Sequence, residues 1–130
     1  MMIAKVNEFG VDIDITPKMR KWFAAKGFPL KKGTEKMHIP ERSFLRTGFD
    51  INKEKIIKYG NKNLPLVIKG ELTVTEFFKK LGLIIVSYIK KYLTEINDPS
   101  NSEMTATLKG SSNPLIDDGR LRNSITFKVV

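Results

Sequence analysis

Few side chains in this sequence are equipped for chemistry. There is one histidine, His38, in a lysine-containing loop, and no cysteine for it to act with. A nucleophile–base pair or a zinc centre needs several such groups brought together, and a lone loop histidine supplies neither. Asp12 and Asp14 alternate with apolar residues in VDIDI, which puts both carboxylates on one strand face. Such a pair could hold a cation, but it also describes an ordinary solvated face. Gly110-Ser111-Ser112 is a flexible loop. The chain has no GxxxxGK phosphate loop, no GxGxxG fingerprint and no GxSxG elbow. These residues predict no enzyme, no cofactor and no metal.

The densest local pattern is NPLIDDGRLRNSITFKV, Asn113 to Val129. Asp118 can cap a helix and Gly119 allows a tight turn. One helical turn through Arg120, Leu121 and Arg122 would set Leu121 and Ile125 four apart, both toward the core. Arg120 and Arg122 would then face outward, where guanidinium groups can pair with carboxylates of a neighbour. The local reading is a corner: loop, short helix, then a terminal strand.

The elements around that corner follow from periodicity. Val11 to Ile15 reads as a half-buried strand. Thr16 caps a helix with Pro17 at its first position, Met19, Trp22 and Phe23 on one face, and Gly27 at its end. Phe28–Lys36 is a loop. A second helix is expected from Pro40, weakened at Gly48 and Asp50 and stopped by Gly60 and Asn61–Asn63. LPLVIKG, Leu64 to Gly70, stays ambiguous, and Pro65 argues against a central strand. TVTE, Thr73 to Glu76, is a capping box that opens a helix of about 34 Å through Ile96. Two adjacent apolar stripes on it, one with Phe77, Leu81 and Ile84, the other with Phe78, Ile85, Ile89 and Leu93, call for cover on more than one side. That cover can come from its own domain or from a second subunit. Met104–Leu108 alternates and reads as a strand, as does SITFKVV at the end. The expected fold is a single α+β domain over residues 1–130, with an antiparallel sheet of N- and C-terminal strands packed against the long central helix and shorter helices.

Bulk properties narrow the class. The chain carries 23 Lys and Arg against 14 Asp and Glu, a formal net charge of +9. The lysines are dispersed, which favours a solvated surface over a dedicated nucleic-acid face. The N-terminus has no signal-peptide h-region, and the most apolar run, Leu81 to Val86, is far short of the roughly 20 residues a bilayer span needs.

At the corner the sequence also resembles a family. PLIDDGRLRNSITFKV is similar to the C-terminal motif of tailed-phage neck and tail-completion proteins, including the virion-morphogenesis and minor tail families. That motif reads Pro-Leu-x-Asp-Thr-Gly-x-Leu-x-x-Ser-Ile. Pro114, Leu115, Asp117, Gly119, Leu121, Ser124 and Ile125 match it. Asp118 replaces the usual threonine, and both residue types cap helices. IPERSFLR, Ile39 to Arg46, resembles the family's Pro-x-Arg-x-Phe segment through Pro40, Arg42 and Phe44. The resemblance covers roughly residues 35–130, and Met1–Lys36 has no clear counterpart. It implies a virion structural protein, assembled in the host bacterial cytoplasm, that forms a ring of self-copies (hexamer or dodecamer) joining a DNA-filled head to a tail. The implied partners are neighbouring neck or tail proteins, with nonspecific contact to DNA passing through the ring and no membrane. Arg42, Arg46, Arg120 and Arg122, which lie in or beside the two motifs, become the candidate interface residues. The alternative is a small basic nucleic-acid-binding protein of a mobile element, which the charge supports.

Overall fold

A computed structural model describes residues 2–110, 113, 115, 116 and 119–130. In chain order it contains α1 (Met2–Phe9), β1 (Val11–Asp14), α2 (Pro17–Ala25), β2 (Lys36–Ile39), α3 (Phe44–Asp50), α4 (Lys53–Ile68), α5 (Val74–Glu95), α6 (Glu103–Lys109) and α7 (Arg120–Ser124). The α+β class holds, with helices predominating and a two-stranded antiparallel sheet.

The helices the sequence marked most clearly have the expected caps. Thr16 Oγ1 accepts from the Met19 N–H at 3.2 Å, with Pro17 at the first helical position. At the start of α5, Thr73 Oγ1 accepts from the Glu76 N–H at 3.2 Å, and the Glu76 carboxylate accepts from the Thr73 N–H at 2.9 Å. That reciprocal pair satisfies two orphan donors of the first turn.

The sheet differs from the expected one. Its strands are β1 and β2, paired Val11↔Ile39, Asp12↔His38, Ile13↔Met37 and Asp14↔Lys36. The C-terminal segment takes no part in it. The reason lies in the cross-strand pairs: apolar residues oppose apolar ones on one face, and acidic residues oppose basic ones on the other. His38, read as a loop residue, is a strand residue whose Nδ1 lies 2.7 Å from Asp12 Oδ1, both side chains exposed.

Four further expectations are corrected. The helix foreseen from Pro40 begins only at Phe44; its weakening at Gly48 and Asp50 becomes a break just after them, at Ile51 and Asn52, and the chain resumes as α4. α4 then runs through Gly60 and Asn61–Asn63, which were expected to end it, and takes in the ambiguous Leu64–Ile68 stretch with Pro65 inside the helix. A mid-helix glycine costs about 1 kcal/mol, and burial of Ile56 with packing of α4 on α5 outweighs it. Met104–Leu108 is helical, not a strand, because it is capped at both ends: Ser102 Oγ accepts from the Thr105 N–H at 3.3 Å, and Gly110 is left-handed at φ 68°. Five alternating residues did not carry that information. Finally, SITFKVV leaves α7 extended at Ile125 (φ −70°, ψ 116°) but has no strand partner. It lies along α5 instead.

The core forms where α3 and the C-terminal half of α5 meet. Phe44, Ile89, Leu93, Ile96 and Leu115 make one buried cluster, with Ala4, Ile85, Tyr92, Ile116, Leu121 and Ile125 packed around it. Gly48 makes this approach close, since a Cβ there would sit 3.3 Å from Tyr92 Cδ1 and 3.4 Å from Ile89 Cα. The N-terminal half of α5 is covered more thinly: Val74, Phe78 and Leu83 are exposed. Its glycine, Gly82, is the place where Phe127 of the C-terminal segment lies directly against the helix backbone; a Cβ at this position would meet the ring at 2.3 Å.

Candidate functional site: the motif corner and its arginines

The two motif-like segments converge on one place. Phe44, from the first, is 1% exposed and belongs to the same cluster as Leu115, from the second, at 5%. Leu121 and Ile125 pack on that cluster, as their spacing predicted. Pro40 is half-buried just after β2, and Ser124 is exposed, its hydroxyl donating to Leu121 O at 2.7 Å. Pro114, Asp117 and Asp118 lie outside the described residues, and with them the expected Asp118 cap.

Asn113 fastens this corner to α5. Its amide Nδ2 donates to Thr94 O at 2.8 Å, and its Oδ1 accepts from the N–H groups of Leu115 at 2.8 Å and Ile116 at 3.0 Å. One side chain therefore ties a late carbonyl of α5 to the turn that carries Leu115. An Asn directly before a proline is a known turn former, and that signal in the sequence had no role assigned to it.

Gly119 begins α7 in the left-handed region at φ 78°. A Cβ there would meet nothing closer than Asn123 Nδ2 at 3.8 Å, so the constraint is backbone conformation and not space. Gly119→Val should therefore cost about 1–3 kcal/mol, the usual strain of a β-branched residue held in that region. Urea unfolding measures it; a loss as small as that of an exposed surface substitution would contradict the corner.

The four arginines divide into different roles. Arg42 is buried at 6% exposure, where Nε donates to Pro99 O at 2.7 Å and Nη2 to Ser100 O at 3.0 Å. Burial pulls its pKa downward, yet guanidinium remains charged under all ordinary conditions. It is an internal clasp and cannot serve as an outward interface group, which corrects the expectation for this residue. Arg46 is half-exposed and multiply engaged. It donates to Glu8 Oε1 at 3.1 Å, to Glu8 O at 3.1 Å and to Glu41 Oε1 at 2.6 Å, and lies 4.9 Å from the centroid of the Phe9 ring. The hydrogen bond to Glu8 is the chief reason its pKa is raised. Arg120 and Arg122 are exposed on α7, as expected. Arg122 borders a shallow hollow of about 420 Å³ with Ser87, Lys90, Lys91, Thr94 and Glu95.

Glu8 organises the N-terminal side of the site. It is 4% exposed, and its carboxylate accepts from the Ser43 hydroxyl at 2.9 Å, the Leu45 N–H at 3.0 Å, the Arg46 N–H at 3.1 Å and Arg46 Nε. Ser43 makes no side-chain cap of its own. The carboxylate thus caps α3 from 35 residues or more away in sequence. Negative charge at a helix N-terminus is favoured by the orphan N–H groups and the dipole. Through Glu8, α1 therefore completes the fold around the first motif. No local signal marked this, because the partner N–H groups belong to another element.

Among the described residues no group of three or more His, Cys, Asp or Glu side chains stands together to hold a metal ion, and no helix is long and apolar enough to cross a membrane. Comparison with known proteins found no matching family model, no matching curated protein and no matching solved structure.

Proposed function

We propose that this chain is a structural protein of a tailed-phage virion, a tail-completion or head–tail joining component that assembles as a ring between the DNA-filled head and the tail. The reading rests on the resemblance of Ile39–Arg46 and Pro114–Ile125 to the two motifs of that family. One structural observation supports it most: the matching apolar residues of both segments, Phe44 and Leu115, meet in a single core cluster although far apart in sequence. Such convergence is what a shared scaffold motif requires, and chance matches scattered over a surface would lack it. The exposed apolar residues Val74, Phe78 and Leu83 on α5 fit a helix that a neighbouring subunit covers.

Within this reading the interface arginines are Arg120 and Arg122, with Arg46 at the rim and Arg42 internal. Arginine is enriched at protein interfaces because its fork pairs with carboxylates in fixed geometry. The test is complementation of a phage or prophage lacking the gene. Arg120→Glu with Arg122→Glu should fold normally yet leave filled heads without stable tails, visible by electron microscopy. Full infectivity of the folded double variant removes these residues from the interface. Titration with duplex DNA at several salt concentrations addresses the alternative: a dedicated binder would show a log–log slope of about −0.9 per phosphate contacted.

A further inference from the structure

The segment Ile125–Val130 leaves α7 extended at Ile125 and has no strand partner. Burial alternates along it, with Ile125, Phe127 and Val129 half-buried and Thr126, Lys128 and Val130 exposed. Phe127 fixes its inner face on Gly82. No backbone N–H or C=O from Thr126 to Val130 has a hydrogen-bond partner among the described residues. A row of open backbone groups of this kind is a template for another strand.

The small sheet presents a matching open edge. Ile15 N–H donates to Glu35 O at 2.8 Å, in the register that continues β1–β2 pairing. Hydrogen-bonded and non-hydrogen-bonded pairs alternate in an antiparallel ladder. Ile13↔Met37 and Val11↔Ile39 therefore carry the ladder, while Asp12 and Asp14 turn their N–H and C=O groups to the opposite edge. Those groups make no hydrogen bond to other backbone. β1 has the same alternation as the terminal segment, with Val11 and Ile13 half-buried and Asp12 and Asp14 exposed.

We propose that residues 126–130 of one copy add as a strand to the β1 edge of a second copy. Charge selects both the occupant and the edge. Beside β1, Lys128 would stand next to Asp12 and Asp14, an acidic strip on a chain of net charge +9. Beside β2 it would meet Lys36 and His38, and like charges on neighbouring strands are unfavourable. The donor strand and the acceptor edge are different surfaces, so the contact is heterologous. Repeated around an axis it closes a ring if the rotation allows, and otherwise makes a filament. The inference deepens the assembly reading above and rests on its self-association, not on its head–tail setting.

Because the native chain has no cysteine, cross-linking can read the contact directly. Single variants Lys128→Cys, Asp12→Cys, Asp14→Cys and Lys36→Cys are purified separately, mixed in pairs and oxidised, alongside sedimentation of the unmodified protein. Mixing Lys128→Cys with Asp12→Cys or Asp14→Cys should give a disulfide heterodimer about tenfold or more above either homodimer, as a preorganised contact raises effective concentration. Lys128→Cys with Lys36→Cys should give no such excess. Three results overturn the proposal while leaving self-association intact: a dominant Lys128→Cys homodimer, preferential coupling to Lys36→Cys, or no heterodimer excess while the unmodified protein sediments as an oligomer. A strictly monomeric protein with no cross-link in any mixture overturns both the strand addition and the ring.

Discussion

Truncation of Phe44 to alanine is expected to lower the unfolding free energy by about 3–5 kcal/mol. The side chain is 1% exposed and sits with Ile89, Leu93, Ile96 and Leu115 where α3 crosses α5. Removing the ring forfeits its transfer energy and leaves a cavity between two helices whose backbones already approach closely at Gly48, so neither can collapse inward to fill it. Urea denaturation of the purified protein gives the value. A cost under about 1 kcal/mol would mean that Phe44 does not anchor this core. Leu81, which the periodicity placed on the same long helix, is only half-buried, and its truncation should cost clearly less.

The second large effect belongs to Glu8. Replacement by alanine strips the cap from α3 and leaves the Leu45 and Arg46 N–H groups and the Ser43 hydroxyl without their acceptor. Each of these part-buried hydrogen bonds contributes about 1 kcal/mol net, not fully additively, so a loss of about 2–3 kcal/mol is expected, with Glu8→Gln falling between wild type and alanine. The pH dependence provides an independent check. Burial pushes the carboxyl pKa up, but the backbone donors Leu45 and Arg46, the Ser43 hydroxyl and the Arg46 guanidinium together hold it below its ordinary 4.5. A folded-state pKa below the unfolded one contributes stability that is fully present above the unfolded value and disappears as pH falls through the folded one. The wild-type protein should therefore lose part of its stability as pH falls below the ordinary carboxyl value of 4.5. Glu8→Gln should lose less over the same range, and equal acid sensitivity in the two proteins would remove Glu8 as the source.

The contrast between these residues shows what was legible in advance. Thr16, Thr73 and Glu76 act within one turn of their own position, and their roles were readable from spacing alone. Leu121 and Ile125 were readable for the same reason. Glu8 and Asn113 act on backbone groups of distant elements, and nothing next to them in sequence names those groups. Arg42 shows the opposite failure: an arginine in a polar stretch looks like a surface residue until the Pro99–Ser100 carbonyls close over it. The strand expected at Met104–Leu108 and the helix stop expected at Gly60 failed because local propensity was outweighed, by caps at both ends in one case and by packing on α5 in the other. For the terminal segment the alternation was right and the partner wrong, since a period of two shows a buried face but not which edge pairs.

Arg42 has a further consequence, for the rate at which the molecule forms. Its guanidinium reaches carbonyls 57 and 58 positions downstream, and Glu8 reaches groups 35 to 38 positions downstream. Closing an unstructured loop of that length costs roughly 3–4 kcal/mol in chain entropy before any contact rewards it. For Arg42 the cost falls once α4 and α5 fold back on each other and bring its two ends together, so this clasp locks after the α3–α5 hub is in place. The Glu8 loop lies wholly before α4 and is shortened instead by β1 pairing with β2. Mostly helical chains usually fold quickly because their contacts are local. This one defers the Arg42 clasp until the hub has formed, and its refolding should run at the pace of mixed α/β domains, with the tie at Arg42 made last.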